Sequence, residues 1–377
     1  MKRRVYLDNA ATTPIDSGVL ETMLPFLTQF YGNPSSTHEE GRIVRAAVEK
    51  SRRLISKMIG AGNLEVFFTS GGTEANNTIL KGAVRDLGVR RILISTIEHA
   101  CVKNASLSLE RDCQIELDFI KVNTEGTLDL LHLENLLSSS DLKTLVSVMH
   151  SNNEIGTMQD LEQISALCKK YQALFHTDTV QTFGYYPTPV NCFPIDFMSG
   201  SAHKLHGPKG IGFMYVNKSL HIHPLIDGGG QERLLRSGTE NVAGIVGFGK
   251  AVELFQENGS SYLQQIQDLK KYFAGQLKEK FGNKVSFNGS LENSHAKVLS
   301  VNFDIPIAND MFLFRLDLEG IAVSGGSACS SGANKASAVL QAIALPNHLK
   351  TVRFSFSHSN TIEELDYTIA VIQKIID

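Results

Sequence analysis

From about residue 40 to residue 260, short apolar runs alternate with stretches of helical period, and no other feature restricts the fold as strongly. Strands are expected at Val66–Thr69, Arg91–Ser95, Leu145–Met149, Leu174–Thr177, Phe197–Ser199 and Gly212–Val216. Helical stretches lie between several of them, among them Glu39–Ile59 and Glu162–Tyr171. Such an alternation builds an α/β fold, in which a largely parallel sheet is covered by helices.

The pattern changes at Gln256-Glu257-Asn258-Gly259-Ser260-Ser261, which reads as a polar loop. An amphipathic helix is expected next, with Leu263, Ile266, Leu269, Phe273, Leu277 and Phe281 on one face. Strands Val285–Asn288 and Val298–Phe303 follow, and the last helix starts at a capping box from Thr361 to Glu364. That helix carries Leu365, Ile369, Ile372 and Ile376 on one stripe. A large domain is therefore expected over residues 15–258, with a smaller α+β domain formed by 1–14 and 259–377.

Composition removes several classes of function. The net charge of −3 gives no global electrostatic case for nucleic-acid binding. No apolar stretch is long enough to span a membrane. The basic start, Met1-Lys2-Arg3-Arg4, precedes an apolar run that stops at Asp8, too short for a signal peptide. The five cysteines are odd in number and scattered, without a C-x-x-C pair, so neither a disulfide framework nor a structural zinc site is expected. Free thiols in a reducing cytoplasm are the simplest reading.

Several segments carry chemistry. Ser70-Gly71-Gly72-Thr73 follows a strand and opens a helix, where backbone N–H groups and the helix dipole suit a phosphate; the same pattern also serves as a plain turn and N-cap. Ser201-Ala202-His203-Lys204-Leu205-His206-Gly207-Pro208-Lys209 places lysines at a strand end beside hydroxyl and imidazole groups, as a Schiff-base site requires. Chemistry alone does not separate Lys204 from Lys209. Asp178 ends a buried strand, and a buried carboxylate needs a charged or hydrogen-bonding partner: a protonated pyridine nitrogen, or the next helix, which it would cap. Asn153 follows another strand within Ser151-Asn152-Asn153-Glu154, and Arg353 lies in a strand, where it forms an ion pair or binds a carboxylate bidentately. Cys329 sits among small residues from Ser324 to Gly332, which favours an exposed, reactive thiol. His221-x-His223 has the spacing of one strand face but lacks the further ligands a metal site needs.

Together these segments resemble the cysteine desulfurases, a branch of the fold-type I, class V aminotransferase-like enzymes. The resemblance runs from Tyr6-Leu7-Asp8-Asn9-Ala10-Ala11 through Glu98-His99, Asn152-Asn153-Glu154-Ile155-Gly156, Gly228-Gly229-Gly230-Gln231-Glu232-Arg233 and Arg236-Ser237-Gly238-Thr239 to Gly326-Ser327-Ala328-Cys329. It implies a seven-stranded, mostly parallel sheet domain with a smaller C-terminal domain, and pyridoxal 5'-phosphate as cofactor. Lys204 then resembles the lysine that holds the cofactor covalently, and Gly72, Thr73, Ser201 and His203 its phosphate ligands. Thr239 resembles a phosphate ligand given by the partner subunit of a homodimer. His99 is similar to the imidazole stacked on the pyridine ring and a candidate acid–base, Asp178 to the pyridinium partner, and Gln181 to the group bonding the ring hydroxyl. Asn153 also carries a ring-oxygen role, and with Arg353 it matches binding of the substrate carboxylate. Cys329 matches the nucleophile that becomes a persulfide.

The implied reaction converts L-cysteine to L-alanine and passes sulfur to an acceptor protein, for iron–sulfur clusters or thio-cofactors. A selenocysteine lyase or another class V enzyme, and a catalytically silent sulfur-carrier subunit, are the alternatives. Two features depart from the family. The chain ends at Asp377, shortly after its last helix, and Cys101 stands two residues after His99 where a small apolar residue is expected.

Overall fold

The computed structural model describes residues 3–325 and 337–377; Cys329 lies outside the described residues. The described strands, in chain order, are β1 (Val5–Tyr6), β2 (Val66–Thr69), β3 (Arg91–Ser95), β4 (Glu116–Ile120), β5 (Thr144–Ser147), β6 (Leu174–Asp178), β7 (Phe197–Ser201), β8 (Gly212–Val216), β9 (Val285–Asn288), β10 (Val298–Phe303), β11 (Ile321–Ala322) and β12 (Lys350–Ser355). The helices are α1 (Ser17–Thr28), α2 (Glu39–Met58), α3 (Gly72–Asp86), α4 (Ala100–Cys113), α5 (Leu130–Ser138), α6 (Leu161–Lys170), α7 (Val242–Phe281), α8 (Asn309–Leu318), α9 (Ala338–Ala342) and α10 (Ile362–Ile376).

Seven strands form the central sheet in the order β2-β8-β7-β6-β5-β3-β4. Only β8 runs against the others, pairing antiparallel with both β2 and β7. Every residue of β2, β3, β5, β7 and β8 is buried, because helices cover both faces of the sheet. Such strands read in the sequence as unbroken apolar runs, which is why they were expected where they lie. The edge strand β4, Glu-Leu-Asp-Phe-Ile, was not expected. Its polar, half-exposed residues hide it, and its pairing with β3 reveals it.

The expected polar loop at Gln256–Ser261 is corrected: those residues continue α7, a single helix of 40 residues. Side-chain contacts carry the helix through Gly259. Phe255 is buried and packs on Tyr262, whose ring in turn stacks on His358 at 3.9 Å. The first half of α7 lies close against α1 and α2, where a Cβ at Gly247 would meet Met23 and one at Gly249 would meet Ser51. The second half buries Ile266, Leu269, Phe273 and Leu277, and Phe273 stands edge-on to Phe354 and Phe356. A three-stranded antiparallel sheet, β12-β10-β9, packs there. The N-terminal segment joins this region, since β1 pairs in parallel with β11.

The capping box of α10 forms as expected, with Thr361 Oγ1 accepting from the Glu364 N–H and Glu364 accepting from the Thr361 N–H. No described helix is long and apolar enough to cross a membrane.

Candidate active site

The C-terminal ends of parallel strands are where an open α/β sheet binds ligands, and the expected site residues gather there. A cavity of about 550 Å3 is lined by Gly72 and Thr73 from the start of α3, His99 from the start of α4, Asp178 from the end of β6 and Ser201 from the end of β7. Asn153, Gln181, His203, Lys204 and Arg353, also expected at the site, stand on its walls. An adjoining cavity of about 450 Å3 shares Gly72, Thr73, Ser201 and His203 and is lined also by Lys209.

The α3 end offers an anion site. Gly72 must be glycine because a Cβ there would lie 2.5 Å from Val180 Cγ2. Helix α3 has no side-chain N-cap, so its first N–H groups are left for a ligand. His203 Nδ1 lies 3.1 Å from Thr12 Oγ1. Burial, then the neighbouring Lys204, Lys209 and Lys297, push its pKa down to about 4, so the ring is neutral near pH 7. An anion in this cradle would oppose that shift.

The acidic end is opposite in character. Asp178 is 6% exposed, its Oδ1 accepts from the Val180 N–H at 2.9 Å, and its Oδ2 accepts from Asn76 Nδ2 at 2.7 Å. No ion-pair partner faces it among the described residues. Gln181 Nε2 donates to the Ala10 carbonyl at 3.1 Å, while its buried Oε1 has no partner among the described residues. Glu98 lies beside them, buried, with Oε1 accepting from the Met149 N–H at 2.8 Å. Burial drives its pKa well above the carboxylate range, and the nearby Asp178 adds to the rise.

Lys204 stands in the short turn that follows β7, and its Nζ donates to the carbonyl oxygens of Ala10 and Ala11. Its own carbonyl accepts from Lys297 Nζ at 2.7 Å and from the Tyr185 hydroxyl at 3.3 Å. Lys209 lies outside the main cavity, so geometry separates the two lysines that chemistry alone did not.

Arg353 is 1% exposed; Nη1 donates to the Asn153 carbonyl at 2.9 Å and Nη2 pairs with Asp8 Oδ1 at 2.7 Å. Its buried Nε has no partner among the described residues, which leaves a donor for a carboxylate. Arg353 and Ser324 share a β-bridge, and Ser337 Oγ bonds Glu154 Oε2. The described residues on either side of the Cys329 segment are thus attached to the cavity wall.

Thr239 and His223 lie away from the main cavity of the single chain. Thr239 is exposed and lines neither cavity of the single chain, although its loop is tied to α3 by the Arg236–Glu74 ion pair at 2.9 Å. His223 pairs with Asp86, and no group of metal-binding side chains occurs among the described residues. The sequence reading assigned no role to Asn76, Glu98, Cys101 or Lys297. The first three stand inside motifs whose neighbours drew attention; Lys297, in Ser-His-Ala-Lys, reads as a surface lysine and gives no signal of its burial.

Such a cavity can seat a flat, phosphorylated heterocycle, offer a cationic ring nitrogen its counter-charge, present an amine, and hold a substrate carboxylate. Comparisons with known proteins identify the family. The family described as Aminotransferase class-V matches residues 5–368. The cysteine desulfurase IscS of Dictyoglomus turgidum is 42% identical, with the alignment covering 100% of this chain and 95% of that protein. A putative cysteine desulfurase IscS 1 of Bacillus subtilis is 41% identical over 96% of each. Among solved structures, a NifS-like protein from Rickettsia africae superposes with a TM-score of 0.88 at 33% identity over 99% of each chain. A structure described as SspA in complex with cysteine matches with a TM-score of 0.81 at 34% identity, over 96% of this chain and 100% of that one.

Proposed function

The chain belongs to the class-V aminotransferase family and within it is a cysteine desulfurase, and from that premise we propose how its residues divide the reaction. L-cysteine is converted to L-alanine, and its sulfur is left on Cys329 as a persulfide for an acceptor protein that serves iron–sulfur cluster or thio-cofactor assembly. The observation that carries this reading is the convergence of Lys204, His99, Asp178, Gln181, Asn153 and Arg353 on one cavity.

The family works with pyridoxal phosphate, and the residues present fit it. Asp178 is a buried carboxylate without an ion-pair partner among the described residues, Gln181 Oε1 is a buried acceptor awaiting a donor, and the glycine at 72 leaves room at a helix start. When bound, the cofactor supplies an aldehyde carbon that takes up amines and a protonated ring that accepts electrons. Gly72, Thr73, Ser201 and His203 hold its phosphate, with Thr239 of a second subunit completing the set in a homodimer. Asp178 keeps the ring nitrogen protonated, Gln181 bonds the ring hydroxyl, Asn153 contacts the ring oxygen and substrate, and His99 covers the ring face.

Lys204 Nζ is the amine that holds the cofactor and yields to the substrate amine. Arg353 and Asn153 seat the substrate carboxylate. Lys204, once displaced, or His99 moves the proton at the substrate Cα. The Cys329 thiolate then forms a bond to the substrate sulfur as the carbon–sulfur bond breaks, and a proton returned to the carbon completes alanine. A reducing cytoplasm suits a chain whose described cysteines, Cys101, Cys113, Cys168 and Cys192, are all free.

Borohydride reduction of the purified holoenzyme followed by peptide mass spectrometry tests the assignment. A phosphopyridoxyl group is expected on the Lys204 peptide, absent from Lys204→Ala and retained in Lys209→Ala. An adduct on any other lysine overturns the role given to Lys204, and a protein that takes up no cofactor overturns the enzymatic reading in favour of a sulfur carrier.

A further inference from the structure

Cys101 is the residue that departs from the family pattern, and it lies in the wall of the main cavity. It occupies the first turn of α4, two residues after the N-cap His99. His99 Nδ1 accepts from the Cys101 backbone N–H at 3.2 Å, and Cys101 Sγ stands 2.9 Å from the same nitrogen. On its other side the sulfur accepts from Asn76 Nδ2 at 3.2 Å, and that amide also donates to Asp178 Oδ2 at 2.7 Å. Asn76 is fully buried, so its amide has no water to turn to. The four side chains therefore form one unbroken series: Asp178, Asn76, Cys101, His99.

A thiol is a weak donor and a weak acceptor at once, which few small side chains are. Placed here it accepts from Asn76 and donates to His99, and an alanine would leave the two ends of the series unconnected. A neutral imidazole has one acceptor nitrogen. Two donors converge on Nδ1, so the ring proton belongs on Nε2, and the Nδ1 edge of the ring is held by both. A donor bonded to the unprotonated nitrogen also favours the neutral ring over the charged one.

We propose that Cys101 is a positioning residue, whose thiol joins His99 to the Asn76–Asp178 pair and fixes the tautomer and tilt of the imidazole over the cofactor. The role rests on the reading of His99 as the ring-covering group. It needs no reactivity of the sulfur, and no bond to Cys101 forms or breaks. Other charged or titratable groups line the same cavity: Glu98 between β3 and α4, Asp178 at the end of β6, and Glu154, His203, Lys204 and Arg353. All are unchanged in the variants below, so they cancel in the comparison.

The test is made first on cofactor-free protein. Side-chain 1H–15N spectra of histidine-labelled protein report each ring's tautomer and titration, and the His99 signal is identified by its loss in His99→Gln. In the parent, Nε2 of His99 carries the proton. In Cys101→Ala its pKa should rise by about half a unit, roughly threefold in the protonation constant, because one donor to Nδ1 is lost. Cys101→Ser, which can donate and accept in the same place, should restore the parental titration. In the holoenzyme the acid limb of the kcat profile should move by the same half unit in Cys101→Ala and return in Cys101→Ser.

An unchanged His99 titration and tautomer in Cys101→Ala overturns the proposal. So does an equal loss of cofactor affinity and melting temperature in both variants, which is the mark of packing alone. Failure of the His99 reading itself appears separately, as full turnover in His99→Gln.

Discussion

Replacing Glu98 by glutamine probes the charge state of the acidic end of the cavity. Glu98 is enclosed by protein, one oxygen accepts the Met149 N–H, and the other has no partner among the described residues. Burial raises its pKa well above 4.5; the Met149 N–H opposes this, Asp178 adds to the rise and His99 opposes it. A carboxyl whose folded pKa is raised holds one more proton in the native form than in the unfolded chain, across the window between 4.5 and the raised value. In that window stability falls as pH rises, by about 1.4 kcal/mol per unit, and is regained as pH drops. Glutamine is close in shape to the protonated acid and carries no titration. Parent and Glu98→Gln should therefore be of similar stability near pH 5. By pH 7 the variant should have gained up to about 2.8 kcal/mol on the parent, two units at the rate above. Urea unfolding of cofactor-free protein from pH 5 to pH 7 measures this, followed by circular dichroism because the chain has no tryptophan. Parallel curves with a constant gap would refute the reasoning, since Glu98 would then be as readily ionised in the fold as outside it.

Mixing Thr239→Ala with Lys204→Ala subunits should regenerate dimers with some intact sites, and hybrid dimers no more active than either parent variant would exclude a shared phosphate cradle. Cys329→Ser should bind cofactor and respond spectrally to L-cysteine yet release no sulfide with dithiothreitol, whereas Cys113→Ala and Cys192→Ala, at exposed positions, should release it as the parent does; persulfide mapped to another cysteine would remove Cys329 from the mechanism. Lys297 is fully buried and its pKa is pushed well below 10.5, chiefly by desolvation and then by Lys204. The unfolded chain then binds the extra proton, so parental stability should rise from pH 8 to pH 10 by up to about 1.4 kcal/mol per unit relative to Lys297→Met; identical pH slopes in urea titrations would count against a neutral Lys297.

The central sheet could be read from the sequence because strands covered on both faces leave continuous apolar runs. What escaped was structure decided by contacts from elsewhere. Strand β4 exists through its pairing with β3 and carries Glu116 and Asp118, one of which meets Arg91 at 2.7 Å. Gln256–Ser261 has the composition of a loop, and aromatic packing at Phe255 and Tyr262 makes it helix. At the site, the residues proposed to meet the ligand announce themselves by motif. Those that act on other protein groups, such as Asn76 on Asp178 or Lys297 on the Lys204 carbonyl, are legible only in three dimensions.

The turns that carry the site are held by segments far from them in sequence. His295 Nε2 donates to the Gln181 carbonyl at 2.7 Å, Lys297 Nζ donates to that of Lys204 at 2.7 Å, and the Ala296 N–H between them donates to the Tyr186 hydroxyl at 2.9 Å. Ala10 and Ala11 accept from Lys204 Nζ, and Asn9 of the same segment bonds the Ser355 carbonyl at the end of β12. Arg353, in β12, holds the Asn153 carbonyl on one side and bridges to Ser324 on the other. Arg353, the residue proposed to receive the substrate carboxylate, is therefore joined both to the Asn153 wall of the cavity and to Ser324. Any shift of β12 would move the proposed carboxylate seat, the Asn153 backbone and Ser324 together.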